Sequence, residues 1–257
     1  MPQKFSKGDG MLLSRVRSSG DDHRGLMMRD SSREEVLSAI ESQVREFLVA
    51  AGCGHPPVDA IQIAEHHLRM ELDSLKAPRG SAGRRVDLRR ETNEEKRQWF
   101  VALAVAEYLK ALVLERLDMT AAELRSMTGE SLTNLLAVNL LVPSVWFTTD
   151  APALDFDLPD LKGRYRTATH ETLAWRMLDL PSPCVISIID HGRVLRRRSN
   201  AWRITRTLSA VEKECQQFVH RYSRPKLMQR EGWTVQGWPV HVGSTKREVL
   251  RSVFEEW

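Results

Sequence analysis

The stretch VALAVAEYLK, residues 101–110, decides the fold. It follows RQWF and is apolar on nearly every side, with Glu107 and Lys110 as its charged members. A helix that is hydrophobic all round is typical of the central, buried helix of a domain. The acidic residues just before it, in ETNEE, suit a helix N-terminus because carboxylates interact favourably with the helix dipole. The pattern therefore predicts a long buried helix within residues 91–117.

Length and composition limit the kinds of protein that this chain can be. Its 257 residues, 42% hydrophobic and 28% charged, are enough for one large or two modest folded domains. No apolar run reaches the length of a membrane span, and the N-terminus lacks the apolar core of a signal peptide. The three cysteines are scattered and form no CxxC pair. We therefore expect a cytoplasmic protein with reduced thiols, outside the membrane.

The segments before the central helix predict a short series of helices with a small sheet. Residues 1–31 lack an apolar period and are expected to be a flexible tail. A helix should begin at Ser32, because Ser32 and Glu35 have the spacing of a capping box. A second short helix should follow the prolines of HPPVDAIQIAEHHL, and RMEL and RVDL read as two strands. After the central helix, helices are expected near 121–125 and 130–141.

The second half of the chain alternates between helical and strand-like patterns. APALDFDLPD, residues 151–160, is rich in prolines and acids and predicts a domain boundary. Beyond it, CVISIIDHGRVLRR predicts a β-hairpin and LSAVEKECQQFVHRY an amphipathic helix capped by Ser209 and Glu212. WTVQGWPVHV predicts a strand, and STKREVLRSVFEEW a closing helix. An α+β fold follows from this mixture.

Two motifs carry a resemblance to a known family. RQWFVALAVAEYL occupies the place of a metallopeptidase helix, and ESLTNLLAVNLLVPSVWF matches a second helix, with Glu130, Asn134, Ala137 and Pro143 in step. Together they resemble the ImmA/IrrE family of metallopeptidases over about residues 33–180. The resemblance implies a zincin-like core, mainly helical, in which a helix carries two histidines one turn apart and a glutamate that activates zinc-bound water. It also implies a role in antagonising repressors of gene expression.

The residues that would perform this chemistry are absent. If Trp99 sets the register, Leu103, Ala104 and Glu107 stand at the first histidine, the glutamate and the second histidine. A shift by one residue replaces them with Ala104, Val105 and Tyr108. Only Glu130 keeps the place of the later carboxylate ligand. We therefore expect no metal, no cofactor and no catalytic residue, although Glu107 could be either a remnant carboxylate or a structural one.

A basic stretch after the hairpin turn is the candidate binding site. Five arginines and one tryptophan lie close together: Arg196, Arg197, Arg198, Trp202, Arg203 and Arg206. Such a set can bind an acidic protein surface, or it can grip phosphates and stack a base. A merely solvated surface is the third possibility. Along a strand the arginines would alternate between faces, which halves the effective patch.

The sequence predicts a non-catalytic pseudopeptidase that binds a protein partner and regulates it, within transcription control or a mobile-element or defence system. The expected organisation is a tail over 1–31, a pseudopeptidase domain over 32–150 and an α/β sensor- or adaptor-like interaction domain over 151–257. Two alternatives remain open at this point. The chain could be an active metallopeptidase with an atypical site, or a nucleic-acid-binding regulator that uses the Arg-rich hairpin.

Overall fold

The computed structural model describes residues 21–72, 91–241 and 245–254, with side chains from residue 33 onward. Within these ranges the chain is a mixed α+β protein, as its sequence predicts. The helices are α1 (Asp21–Ala50), α2 (Ala60–Gln62, continued as a π-helical turn, Ile63–His67), α3 (Glu94–Leu117), α4 (Ala121–Thr128), α5 (Leu132–Leu141), α6 (Ser144–Ala153), α7 (Leu158–Arg164), α8 (His170–Arg176, continued as a 3-10 turn, Met177–Asp179) and α9 (Ala210–Tyr222). The strands are β1 (Val185–Asp190), β2 (Arg193–Ser199), β3 (Lys226–Arg230), β4 (Trp233–Pro239) and β5 (Arg247–Phe254).

Helices α1 to α8 form a helical body around the main hydrophobic core. Helix α3 is its centre, as the apolar pattern indicates. Val101, Leu103 and Leu109 are buried on it, and α1, α2 and α5 pack around it. Asn93 caps its N-terminus, where the side chain accepts a hydrogen bond from the Lys96 amide at 3.0 Å. The buried Gln98 accepts from the Ala60 amide at 2.8 Å, which fixes the short helix α2 against α3.

The N-terminal boundaries differ from those expected. Helix α1 begins at Asp21, so Ser32 lies inside it and is not its N-cap. The lack of an apolar period before Ser32 does not preclude a helix, because residues such as Met and Arg favour one there. The expected tail over 1–31 therefore falls partly on α1, and residues 1–20 lie outside the described part. Residues 69–72, expected as a strand, form none, while RVDL lies outside the described residues.

The strands form one antiparallel sheet in the order β2-β1-β5-β4-β3. The hairpin β1–β2 turns at His191 and Gly192, both with positive φ, as the Asp-His-Gly signal predicts. The expected closing helix is wrong: residues 247–254 form β5, which pairs with both β1 and β4. Its charged composition suggested a helix, but pairing on both edges and burial on both faces outweighed that local preference.

Each face of the sheet is covered by different elements. Side chains such as Ile186, Ile188 and Trp238 join the core of the helical body. Ile189, Val235 and Leu250 face α9 instead, in a smaller cluster with Val211 and Val219. Because side chains alternate along a strand, neighbouring residues of β1 and β5 belong to different cores.

The segment between α6 and α7 is fixed to the sheet. Asp155 and Phe156 both have positive φ, and the Asp155 carbonyl accepts a hydrogen bond from Gln236 Nε2 at 2.9 Å. The buried Arg251 guanidinium lies 3.9 Å from the centre of the Phe156 ring. Helix α6 runs across the domain boundary expected at residue 150, so the division into two domains stays a prediction.

No single helix within the described ranges has the length and apolar character to span a membrane. Helices α5 and α6 pass the same criteria only as a pair, and they are bent by 54° at the break between them.

The strand β2 places its three consecutive arginines on two faces. Arg197 points towards α9, is 6% exposed, and lies 2.9 Å from the fully buried Glu212. Its Nη1 also donates to Ser187 Oγ at 2.6 Å. Burial alone would raise the pKa of Glu212, but hydrogen bonds from Arg197, Ser252 and the Ser209 amide, with the charge of Arg197, lower it below its ordinary value.

We expect Leu103→Asp to lower the free energy of unfolding by about 3 kcal/mol or more, because it buries an unpaired charge in the centre of the helical body. Thermal and urea unfolding measure the change. Ala111→Asp is the matched control, since it adds the same charge at an exposed position of α3 and should cost about 1 kcal/mol or less. Equal stability of Leu103→Asp and wild type would show that α3 is not the central helix.

We expect Arg197→Ala to cost about 3–5 kcal/mol at neutral pH, because it leaves Glu212 buried without its cation. Arg196→Ala, whose ion pair is exposed, should cost less than about 1 kcal/mol. The lowered pKa of Glu212 stabilises the fold above the ordinary titration range of a glutamate, near pH 4, and this stabilisation is lost as the pH falls further. Urea titrations at several pH values should therefore show that the difference in unfolding free energy between wild type and Arg197→Ala becomes smaller as the pH falls below about 4. A constant difference would contradict the role given to Glu212.

Candidate functional site

The positions at which the resemblance would place metal ligands or the catalytic glutamate include Leu103, Ala104 and Glu107 of α3. Leu103 is buried among apolar side chains, and Ala104 offers no ligand atom. The Glu107 carboxylate accepts a hydrogen bond from Thr133 Oγ1 at 2.5 Å and pairs with Lys110 Nζ at 3.1 Å. The Glu107 carboxylate thus joins α3 to α5, which agrees with a structural role for this residue.

The fourth position, Glu130, lies just before α5 and contacts the sheet. Its carboxylate is 3.3 Å from Arg198 Nη1, and its side chain is 47% exposed. Among the described residues, no group of three or more histidines, cysteines, aspartates or glutamates is arranged to hold a metal ion. A zinc site of the ImmA/IrrE type would need two imidazoles, so the donor set at Leu103, Ala104, Glu107 and Glu130 does not fit it.

A groove of about 1030 Å³ lies between the helical body and β2, and we call it the groove. Helices α1, α4 and α5 form one wall, and α8 with the following turn and β2 form the other. Trp99 and Trp175 lie within it, and the apolar part of its α5 wall is made by Leu135 and Val138. A volume of this size accommodates a drug-sized ligand or a peptide segment.

The lining of the groove carries more basic than acidic side chains. Five arginines and three carboxylates line it: Arg33, Arg125, Arg176, Arg196 and Arg198 with Glu41, Glu130 and Asp179. No histidine, cysteine or lysine is among the described residues that line it. The excess of arginines over carboxylates suits the lining to binding an anionic group.

Two of the predicted arginines face this groove from β2. Arg196 pairs with Glu171 of α8 at 3.0 Å, and its side chain is 61% exposed. Arg198 pairs with Glu130 and lies 5.5 Å from the centre of the Trp175 ring, at 62% exposure. Both guanidinium groups are accessible, and both are held by carboxylates that are themselves partly exposed.

The remaining predicted residues are not brought into the groove. Arg197 is buried on the opposite face of the sheet, so it is unavailable at the surface and we leave it out of the binding site. Trp202 is half-buried in the segment after β2, where its amide donates to Ser199 Oγ at 3.1 Å. Arg203 and Arg206, the loop arginines, are exposed and have no ion-pair partner among the described residues.

The other arginines that line the groove were not predicted from the sequence. Arg33, Arg125 and Arg176 come from three separate helices, and nothing in their local pattern indicates that they converge. Arg176 is buried and held in place, donating to the Val142 carbonyl at 3.1 Å and to Ser144 Oγ at 2.7 Å. A buried arginine in an otherwise apolar segment, LAWRML, is the only local signal that could have indicated it.

Comparisons with known proteins bear on the fold. No protein-family model matches the chain, and no curated protein sequence matches it. A solved structure described as a Mycobacterium tuberculosis transcriptional regulator is similar, with a TM-score of 0.56 and 16% sequence identity. The match covers 86% of this chain and 80% of that chain. At this identity the likeness concerns the architecture: most of this chain has the same arrangement of elements as that regulator.

Proposed function

We propose that the chain is a non-catalytic regulator that binds a protein partner through the groove. One observation carries the proposal: a large groove is lined by five arginines against three carboxylates and so presents an excess of positive charge to an anionic surface. The likeness of fold to a structure described as a transcriptional regulator supports a regulatory role. Three free cysteines, Cys53, Cys184 and Cys215, support a location in the cytoplasm.

The pseudopeptidase origin of the helical body is part of the proposal. The ImmA/IrrE-like motifs fall on α3 and α5, two helices that pack against each other in the core. At the catalytic positions stand a buried leucine, an alanine and a glutamate engaged with Thr133. We therefore propose that residues 32–150 retain a zincin-like architecture without its chemistry, and that residues 151–257 form the interaction portion, which contributes Arg196 and Arg198 to the groove.

Nucleic-acid binding is the second candidate, and a specific observation favours it. The loop arginines are exposed without carboxylate partners among the described residues, and Trp202 lies next to them. Cations that are not neutralised by the protein can replace counterions along a phosphate backbone. In contrast, Arg196 and Arg198 are already paired with carboxylates, which suits exchange with the carboxylates of another protein.

We expect the purified chain to carry no stoichiometric zinc, because the family's positions offer no imidazole. Elemental analysis after gel filtration and titration with Zn²⁺ in the presence of a competing chelator are the measurements. Replacing Leu103 and Glu107 by histidine, with Ala104→Glu, tests whether the architecture can accept a site; the parent chain is the control. About one tightly held zinc per parent chain would contradict the pseudopeptidase proposal and favour an active enzyme.

We expect Arg196→Glu with Arg198→Glu to weaken the complex with the native partner by about 1–3 kcal/mol, since charge-assisted hydrogen bonds to partner carboxylates are lost. The partner is captured from the native host with wild-type chain, purified, and titrated by calorimetry at two salt concentrations. Arg203→Glu with Arg206→Glu is the matched control, because it changes the net charge equally outside the groove.

Equal affinity of all three proteins would contradict binding through the groove. Loss only in the loop-arginine variant would move the interface to that segment. A loss seen with duplex DNA or RNA, steep in salt, and with no protein partner, would favour the nucleic-acid candidate.

A further inference from the structure

The strand β2 is an edge of the sheet. It pairs with β1 on one side, and no other described strand lies beside it. Its residues 194–198 make no backbone–backbone hydrogen bond to any other described segment. An edge strand with unpaired amides and carbonyls is a template on which an extended chain can add a further strand.

This edge borders the groove. Arg196, Arg198 and Ser199 of β2 are among the groove's lining residues, and Asn200 continues the same wall. An extended segment lying beside β2 would therefore border the groove, and its side chains on the face of Arg196 and Arg198 would be directed towards it. The edge and the groove therefore adjoin each other at Arg196 and Arg198.

The alternation of β2 gives that surface a charge pattern with a period of two. Arg196 and Arg198 face the helical body, where they meet Glu171 and Glu130. Arg197, between them, faces α9 and is buried. A strand added to β2 would alternate in the same way, so only every second residue of it could reach these two arginines.

We propose that the groove takes an extended acidic segment of the partner protein, added as a strand to the edge of β2, with carboxylates at positions i and i+2 against Arg196 and Arg198. The inference rests on the proposed function and names its binding mode. Main-chain hydrogen bonds along β2 supply a sequence-independent part of the affinity, and the two arginines select the acidic residues.

The arginines can change partners at little cost. Glu171 also pairs with Arg247 at 3.3 Å, so it keeps a cation when Arg196 turns to the partner. Glu130 is partly exposed and returns to water when Arg198 is taken up. Exposed pairs of this kind hold each other only weakly, whereas a carboxylate enclosed in the groove is less screened by solvent.

The charge pattern also excludes two other occupants. A second copy of the chain pairing symmetrically along β2 would set these arginines against their own counterparts, and like charges opposite each other destabilise a sheet. An apolar strand would cover Arg196 and Arg198 without offering them carboxylates. The acidic segment satisfies both the edge and its charges.

A peptide selection tests the predicted spacing of acidic residues at positions i and i+2. A random library of peptides of about twelve residues is displayed on phage and selected for binding to the intact chain. We expect enriched peptides with Asp or Glu at alternate positions. The same selection on Arg196→Glu with Arg198→Glu should enrich Lys or Arg at those positions. The loop-arginine variant is the matched control and should select the same peptides as wild type. Enrichment without alternation, or no enrichment, would overturn the proposal.

Synthetic forms of the best peptide test the strand itself. Moving its second acidic residue from i+2 to i+1 should weaken binding roughly tenfold by fluorescence anisotropy. Two peptides test this, one N-methylated at the odd-numbered amides and one at the even-numbered amides. Only one of the two should lose binding, because only one set of amides faces β2. Equal binding of both methylated forms would exclude strand addition.

The outcomes separate this inference from the function on which it rests. A native complex weakened by reversal of Arg196 and Arg198, together with peptides that show no alternation, would retain the regulator and reject the added strand. Alternating peptides that compete with the native partner would support both. Alternating peptides that leave the native complex unaffected would retain the strand site and reject the proposed function.

Discussion

The period-two alternation of side chains across a sheet covered on both faces is the constraint on which this structure depends. Strand β5 shows it most fully: Glu248, Leu250 and Ser252 face α9, while Val249 and Arg251 face the helical body. Each face has its own core and its own polar contacts, so a slip of one residue would place each side chain in the wrong environment. The same alternation divides the three consecutive arginines of β2 into a structural one and two that face the groove.

The helical body and the sheet depend on each other through a small number of specific contacts. Trp238 Nε1 donates to the Asp157 carboxylate at 3.2 Å, and Asp157 also caps α7. The guanidinium of Arg251 lies against Phe156 and donates to Gln236 Oε1 at 3.1 Å. Burial lowers the pKa of Arg251, partly offset by Cys184. The groove is therefore formed between two parts held in a fixed relation, and its walls need no partner to bring them together.

Local patterns in the sequence predicted those elements whose signals are local. The mainly apolar residues of α3, the Ser209–Glu212 capping box and the His191–Gly192 turn each predicted the local structure correctly. Strand β5 was missed because its character comes from pairing with β1 and β4, and KREVLRSVFEE by itself has the charge spacing of a helix. The groove was missed for a related reason, since its arginines come from separate segments. The arginines of β2 were found because they are adjacent in the chain, but adjacency could not reveal that Arg197 is buried.

The β-bulge at Leu195 of β2 limits the chain lengths that the β1–β2 hairpin tolerates. Ile188 pairs with Arg196 and Ile189 with Val194, so Leu195 is an additional residue between two registers. It lets Val194 and Arg197 share the α9 face although three positions separate them. Removing one residue here would force either the turn or the arginines to change sides. An insertion or deletion in the hairpin is therefore tolerated only if Val194 and Arg197 stay on the α9 face. A chain that keeps the buried Arg197–Glu212 pair can vary the length of the turn only under that condition.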